Sequence, residues 1–118
     1  MRLWIPIKTV SCSNVRENRF VRAKRTKAER ETARLIVRDI VRDASMQKLR
    51  EVKMVRHGNR LLDPGNLPVS MKGVQDGLCD ALGIDDGPWQ KTGIRWEYDQ
   101  KQVKRESTGV MVELRFAQ

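Results

Sequence analysis

Leu3, Ile5 and Ile7 alternate with other residues near the start of the chain, the period-two pattern of a strand with one face buried. A turn-rich break follows at Ser11-Cys12-Ser13-Asn14. From about residue 22 to residue 44 the period lengthens. Ala33, Ile36, Val37, Ile40, Val41 and Ala44 recur at three- and four-residue spacing and predict an amphipathic helix, with Arg34, Arg38 and Arg42 as a separate column on it. Over residues 49–56, Val52 and Met54 alternate with Glu51 and Lys53, which predicts a second strand.

After a turn at Gly58-Asn59 the helical period returns. Asn66 can cap a second helix, and Pro68 suits its first turn, where a missing N–H costs nothing. Leu67, Met71, Val74, Leu78 and Leu82 form its apolar stripe, and Gly83 is a natural stop. Ile94, Trp96 and Tyr98 alternate as a third strand, and Val110, Val112, Leu114 and Phe116 as a fourth. The polar residues 101–109 between them read as a long hairpin loop. The order β-α-β-α-β-β predicts an α+β fold: a sheet of about four strands with two helices on one face. There is no repeat, low-complexity linker or second domain, so residues 1–118 read as a single domain.

A chain of this length buries roughly two-thirds of its unfolded surface and needs neither disulfide nor zinc to fold. Cys12 and Cys79 lack CxxC spacing, which suits reduced thiols in a cytoplasmic protein. No apolar run reaches membrane-spanning length, and the apolar residues near the N-terminus are too few for a signal peptide, so no membrane partner is expected.

Charge changes the picture more. Lys and Arg outnumber Asp and Glu 17 to 6 over residues 1–60 and are outnumbered 9 to 7 thereafter, within a net charge of +9. The densest block is Arg16, Arg19, Arg22, Lys24, Arg25, Lys27 and Arg30. Most charge runs are solvated helix faces, but only Glu17 interrupts this one before residue 29, and such density favours phosphate backbones through counterion release. An anionic membrane surface fits less well, because no apolar aromatic face accompanies the charge.

The acidic second half concentrates its carboxylates around the second predicted helix. Lys72, Asp76 and Asp80 stand at i, i+4 and i+8 and share one column; Asp63 precedes the helix and Asp85-Asp86 follow it. Carboxylates of this kind suit Mg²⁺ or Mn²⁺, which would polarise a phosphodiester and activate water, while a nearby lysine stabilises developing negative charge. The two acidic loops lie about 25 Å apart along a helix rising about 1.5 Å per residue. A shared site needs the loops to fold back or a second subunit to supply one of them. On spacing alone, the Lys72–Asp76 column reads more readily as a surface ion-pair ladder than as a catalytic one. His57, alone, reads as structural or solvated; Trp4, Trp89 and Trp96 as core or interface residues before base-stacking platforms. Phe20, set among Arg16, Arg19 and Arg22, is placed to stack on an opened base, but packing under the neighbouring loop is the expectation preferred.

The stretch Leu62-Asp63-Pro64-Gly65-Asn66-Leu67, then Lys72, then Asp76-Gly77-Leu78-Cys79-Asp80-Ala81-Leu82-Gly83-Ile84-Asp85-Asp86, resembles the RusA family of Holliday junction resolvases, above all its prophage-encoded members. Asn14-Val15-Arg16-Glu17 with the basic residues after it, Trp96-Glu97-Tyr98 and the last strand also fit. The resemblance covers most of the chain and is concentrated in residues 62–87. It implies a RusA-like mixed sheet and a homodimer that cleaves four-way DNA junctions with a divalent metal, Mg²⁺ or Mn²⁺. It further implies Asp63 and Asp86 as metal ligands, Lys72 as the essential helix lysine, and Asp76 and Asp85 as supporting acids. The Arg16–Arg30 block and Arg60 would hold the duplex arms. One departure stands out: where the family carries a second aspartate before the asparagine, this chain has Gly65. Two expectations follow, a metal-dependent junction endonuclease or a DNA-binding protein of the same fold with impaired cleavage. A basic RNA- or ribosome-associated module is a third, less favoured.

Overall fold

A computed structural model of the chain describes residues 1–9, 18–41, 48–85 and 87–117. Arg16, Cys12, Ala44 and Asp86 lie outside the described residues. The elements run β1 (Arg2–Ile5), α1 (Arg19–Ile40), β2 (Leu49–Gly58), α2 (Leu67–Ser70), α3 (Lys72–Leu82), α4 (Trp89–Thr92), β3 (Arg95–Gln102), a 3₁₀ turn at Arg105–Ser107 and β4 (Gly109–Phe116).

The four strands form one mixed sheet in the order β1-β4-β2-β3, with β4 antiparallel to both β1 and β2, and β3 parallel to β2. Register puts the apolar positions of all four strands on one face. Leu3, Val112, Met54 and Tyr98 make one row across the sheet, and Leu114, Val52 and Trp96 another. Ala33 and Val37 of α1 and Val74 and Leu78 of α3 join this face in one buried core. At roughly 25 cal/mol per Å² of apolar surface removed from water, this shared core is the main force holding helices to sheet. The opposite face carries Glu51, Lys53, Val55, Trp4, Met111 and Glu113 in partly exposed positions. The α+β class and the one-sided helical layer therefore follow from the alternation in the strands and the stripes in the helices.

Five details differ from the sequence reading. Residues 101–109 are not a hairpin loop: β3 and β4 flank β2 on opposite sides, and the connection crosses the end of β2. Val110, Val112 and Leu114 match the fully buried residues of β2 and belong at the sheet centre, whereas β3 is half-exposed along its length and takes the edge. Helix α1 starts earlier than residue 22, because the Asn18 side chain accepts a hydrogen bond from the Val21 N–H and caps it there. Ile40, assigned to its apolar stripe, is exposed. The second predicted helix is two: the chain breaks at Met71 (φ −103°, ψ 9°) between α2 and α3, and Asn66 precedes α2 without capping it through its side chain.

Candidate nucleic-acid interface and acidic helix

Helices α1 and α3 lie side by side in the same direction, and two glycines let them. Gly73 faces the Thr26 carbonyl and the Glu29 side chain; Gly77 faces the Arg30 carbonyl and Ala33. A Cβ on Gly77 would sit 2.8 Å from the Ala33 Cβ and closer still to the Arg30 oxygen, so only glycine permits this approach. The four-residue glycine spacing on α3 is the sequence trace of this approach, recognisable only once α1 is packed against it.

This packing sets a basic helix face against an acidic column. Arg19, Arg22, Ala23, Thr26, Lys27 and Arg30 share one face of α1, separated by three residues and by one in turn, and with Asp76 of α3 they line a surface cleft of about 450 Å³. Lys24 and Arg25 do not line it; Arg25 is half-buried against Glu29 at 3.7 Å. Phe20, at the same end of α1, is 84% exposed rather than packed under a loop.

The acidic column itself is divided. Lys72, the first residue of α3, pairs with Asp76 at 3.2 Å. Asp80 is held instead by Arg30, whose Nε and Nη2 donate to its two oxygens at 2.6 and 2.8 Å. That fork holds the Asp80 carboxyl below its ordinary range, through hydrogen bonding first and then through the charge of Arg30. Asp80 raises the Arg30 guanidinium in turn, with a lesser contribution from Asp76.

Asp63 and Asp85 are exposed and stand at opposite ends of the helical segment. Asp63 is placed by its neighbours. Leu62 exchanges two 2.8 Å hydrogen bonds with the Gln100 side chain of β3, and the Asp63 carbonyl accepts from the Asn66 and Leu67 N–H groups. Tyr98, two residues before Gln100, donates its hydroxyl to Gln75 near the start of α3. The Asp63 loop is thus fixed at the N-terminal end of α3. Asp85 follows Gly83, the left-handed cap at the other end, about 15 Å along the axis for a helix of this length. Among the described residues, no three His, Cys, Asp or Glu side chains gather in a group that could hold a metal ion. The donor chemistry of Asp63, Asp76 and Asp85 suits a hard cation; Asp80, with both oxygens committed to Arg30, does not.

Sequence reasoning passed over Arg56. It shares the parity of Val52 and Met54, faces inward and is 5% exposed. Its guanidinium donates to the Thr9 hydroxyl at 2.9 Å, the Thr9 carbonyl at 3.2 Å and the Arg60 carbonyl at 2.8 Å. Burial lowers its pKa. Arg56 therefore ties β2 to the residue that leads out of β1 and to the bend that leads towards Asp63, while Arg60 itself is exposed. His57, on the opposite face, packs edge-on to Trp4 with ring centroids 5.1 Å apart, and burial followed by the Lys101 charge lowers its pKa.

No helix among the described residues is long and apolar enough to cross a membrane. Comparison with protein-family models, with curated proteins and with solved structures finds no match for this chain.

Proposed function

We propose that this protein is a RusA-like, metal-dependent endonuclease that resolves four-way or otherwise branched DNA in the cytoplasm, acting as a homodimer. One observation carries the reading. Four cations of α1 and Asp76 of α3, remote in sequence, line one cleft, with Lys72 paired to that same aspartate. A polyanion gripped by Arg19, Arg22, Lys27 and Arg30, with Arg60 further along the chain, would bring phosphates towards the carboxylates and lysine of α3.

Asp63, Asp85 and Asp86, supported by Asp76, are the residues that would hold Mg²⁺ or Mn²⁺; the ion would supply Lewis-acid activation of water and of the phosphodiester. Because Asp63 and Asp85 stand at opposite ends of α3, two copies related by a two-fold axis would let one protomer's loop complete the other's set. Lys72 would stabilise charge on the phosphate oxygens, and its pairing with Asp76 keeps its ammonium directed along the acidic column. Cleavage of a synthetic four-way junction in Mg²⁺ or Mn²⁺, abolished by Asp86→Asn and by Asp63→Asn, is the expected result. Undiminished cleavage in the presence of a chelator would rule the proposal out.

A second reading, a junction- or duplex-binding protein with impaired cleavage, is favoured by one feature. The helix carboxylates Asp76 and Asp80 are already paired with cations, and Gly65 removes a charged donor from the Asp63 loop. A Cβ at Gly65 meets nothing within 4 Å, so Gly65→Asp fits without displacing the loop. A gain of cleavage in that variant marks the natural chain as impaired; efficient turnover by the unaltered protein retires this reading.

A further inference from the structure

Trp89 opens the short helix α4 and is 49% exposed, far from the core role its size suggests. Its ring is held in place by Arg95, whose guanidinium carbon lies 4.4 Å from the ring centroid. This cation–π contact fixes the indole without burying it. Trp89 and Arg95 both border two adjoining clefts. One, of about 580 Å³, is further walled by Pro88, Ile94, Trp96 and Tyr98, and the buried indole N–H of Trp96 has no acceptor among the described residues. The other, of about 480 Å³, is rimmed by Arg50 and Arg115. Aromatic surface on one side of a fixed ring and guanidinium groups on the other form an amphipathic socket, outside the α1–α3 cleft.

From this geometry we infer that the Trp89 socket binds a single unpaired nucleotide of a nucleic-acid strand. The base stacks on the indole surface of Trp89 beside Trp96, and the adjoining phosphate meets Arg95 and Arg50. Stacking suits the socket because every base has a π-face. The guanidinium rim supplies the complementary charge for its phosphate, which an apolar peptide would not use. Arg115 contributes less, since it is 3.2 Å from Glu51 and partly neutralised. The inference rests on the reading of this chain as a nucleic-acid binder and is independent of any cleavage chemistry. It adds a recognition element for strands exposed where duplex arms part.

The test measures equilibrium binding of the full chain, in chelator and at one fixed salt concentration, to a labelled oligothymidylate strand and to a blunt duplex of equal length. Trp89→Ala is expected to weaken single-strand binding about tenfold or more and to leave duplex binding within about twofold, whereas Trp89→Phe keeps most of the affinity. Arg95→Gln separates stacking from folding, because it removes the cation while the indole stays, and it should also weaken the single strand selectively. Unchanged single-strand affinity in both Trp89→Ala and Arg95→Gln would overturn the socket alone, provided the unaltered chain binds duplex. Failure of the unaltered chain to bind either probe would overturn both the socket and the nucleic-acid reading.

Discussion

Gly77 carries more of this fold than its missing side chain suggests. Its backbone touches the Arg30 carbonyl and Ala33, so the distance between α1 and α3 is set by the absence of one methyl group. Gly77→Ala should force the helices apart and cost about 1–3 kcal/mol, read as a lower urea midpoint at unchanged slope. Gly73→Ala should cost less, because its closest neighbour is the flexible end of Glu29. Arg56 poses the opposite case, a charge placed inside. Arg56→Met keeps the volume but strips the donor from two carbonyls and a hydroxyl, and should destabilise by about 1–3 kcal/mol. Equal midpoints for Arg56→Met and the unaltered protein would show that these acceptors are satisfied some other way. Neither residue was conspicuous in the sequence, and for the same reason. A glycine in a helix and an arginine in a strand read as a weak helix former and a surface cation until a second element is packed against them.

At the level of elements, periodicity was legible wherever one face of a strand or helix meets the core. The stripe from Leu67 to Leu78 located α2 and α3, and Val52 with Met54 located β2. What periodicity could not show was which elements are neighbours: β3 and β4 carry the alternation of a hairpin pair, yet β2 separates them. It also could not distinguish paired charges from available ones. Lys72, Asp76 and Asp80 look equivalent as a column, but the Arg30 fork from α1 holds Asp80, whereas Asp76 pairs with Lys72 on its own helix. This difference has a pH signature. The folded-state pKa of Asp80 is depressed, so the pair contributes stability that is fully present above the unfolded carboxylate value of about 3.9 and is lost as pH falls through the lower folded value. Between pH 8 and about 5 its contribution should be flat. Denaturation midpoints measured down through pH 3 should fall for the unaltered protein, and Asp80→Asn should show a shallower acid limb. Superimposable acid limbs would mean that the Arg30–Asp80 fork is not maintained in solution.

Across the whole molecule, the two charge classes meet at the α1–α3 seam, although the sequence separates them into a basic first half and an acidic second half. That convergence depends on Gly73, Gly77 and the Arg30–Asp80 fork, of which only Arg30 belongs to the basic block, and none to the acidic loops, that first suggested polyanion binding and metal chemistry. A consequence is that binding and any cleavage should be separable by substitution. Arg19 and Lys27 are exposed on the cleft side of α1 and face away from the core, so removing them should leave the fold intact. If each neutralises one phosphate of a duplex arm, the slope of log affinity against log salt should flatten by about 0.9 for each residue removed. The double variant Arg19→Ala/Lys27→Ala should then lose affinity at low salt and converge on the unaltered protein at high salt. Asp63→Asn, which removes a carboxylate outside that face, should leave the slope as it was. Lys24→Ala serves as the internal control, because Lys24 belongs to the same basic block without lining the cleft. If Lys24→Ala flattens the slope as much as either cleft residue does, the DNA is held by diffuse charge along α1, and the cleft has no special part in gripping it.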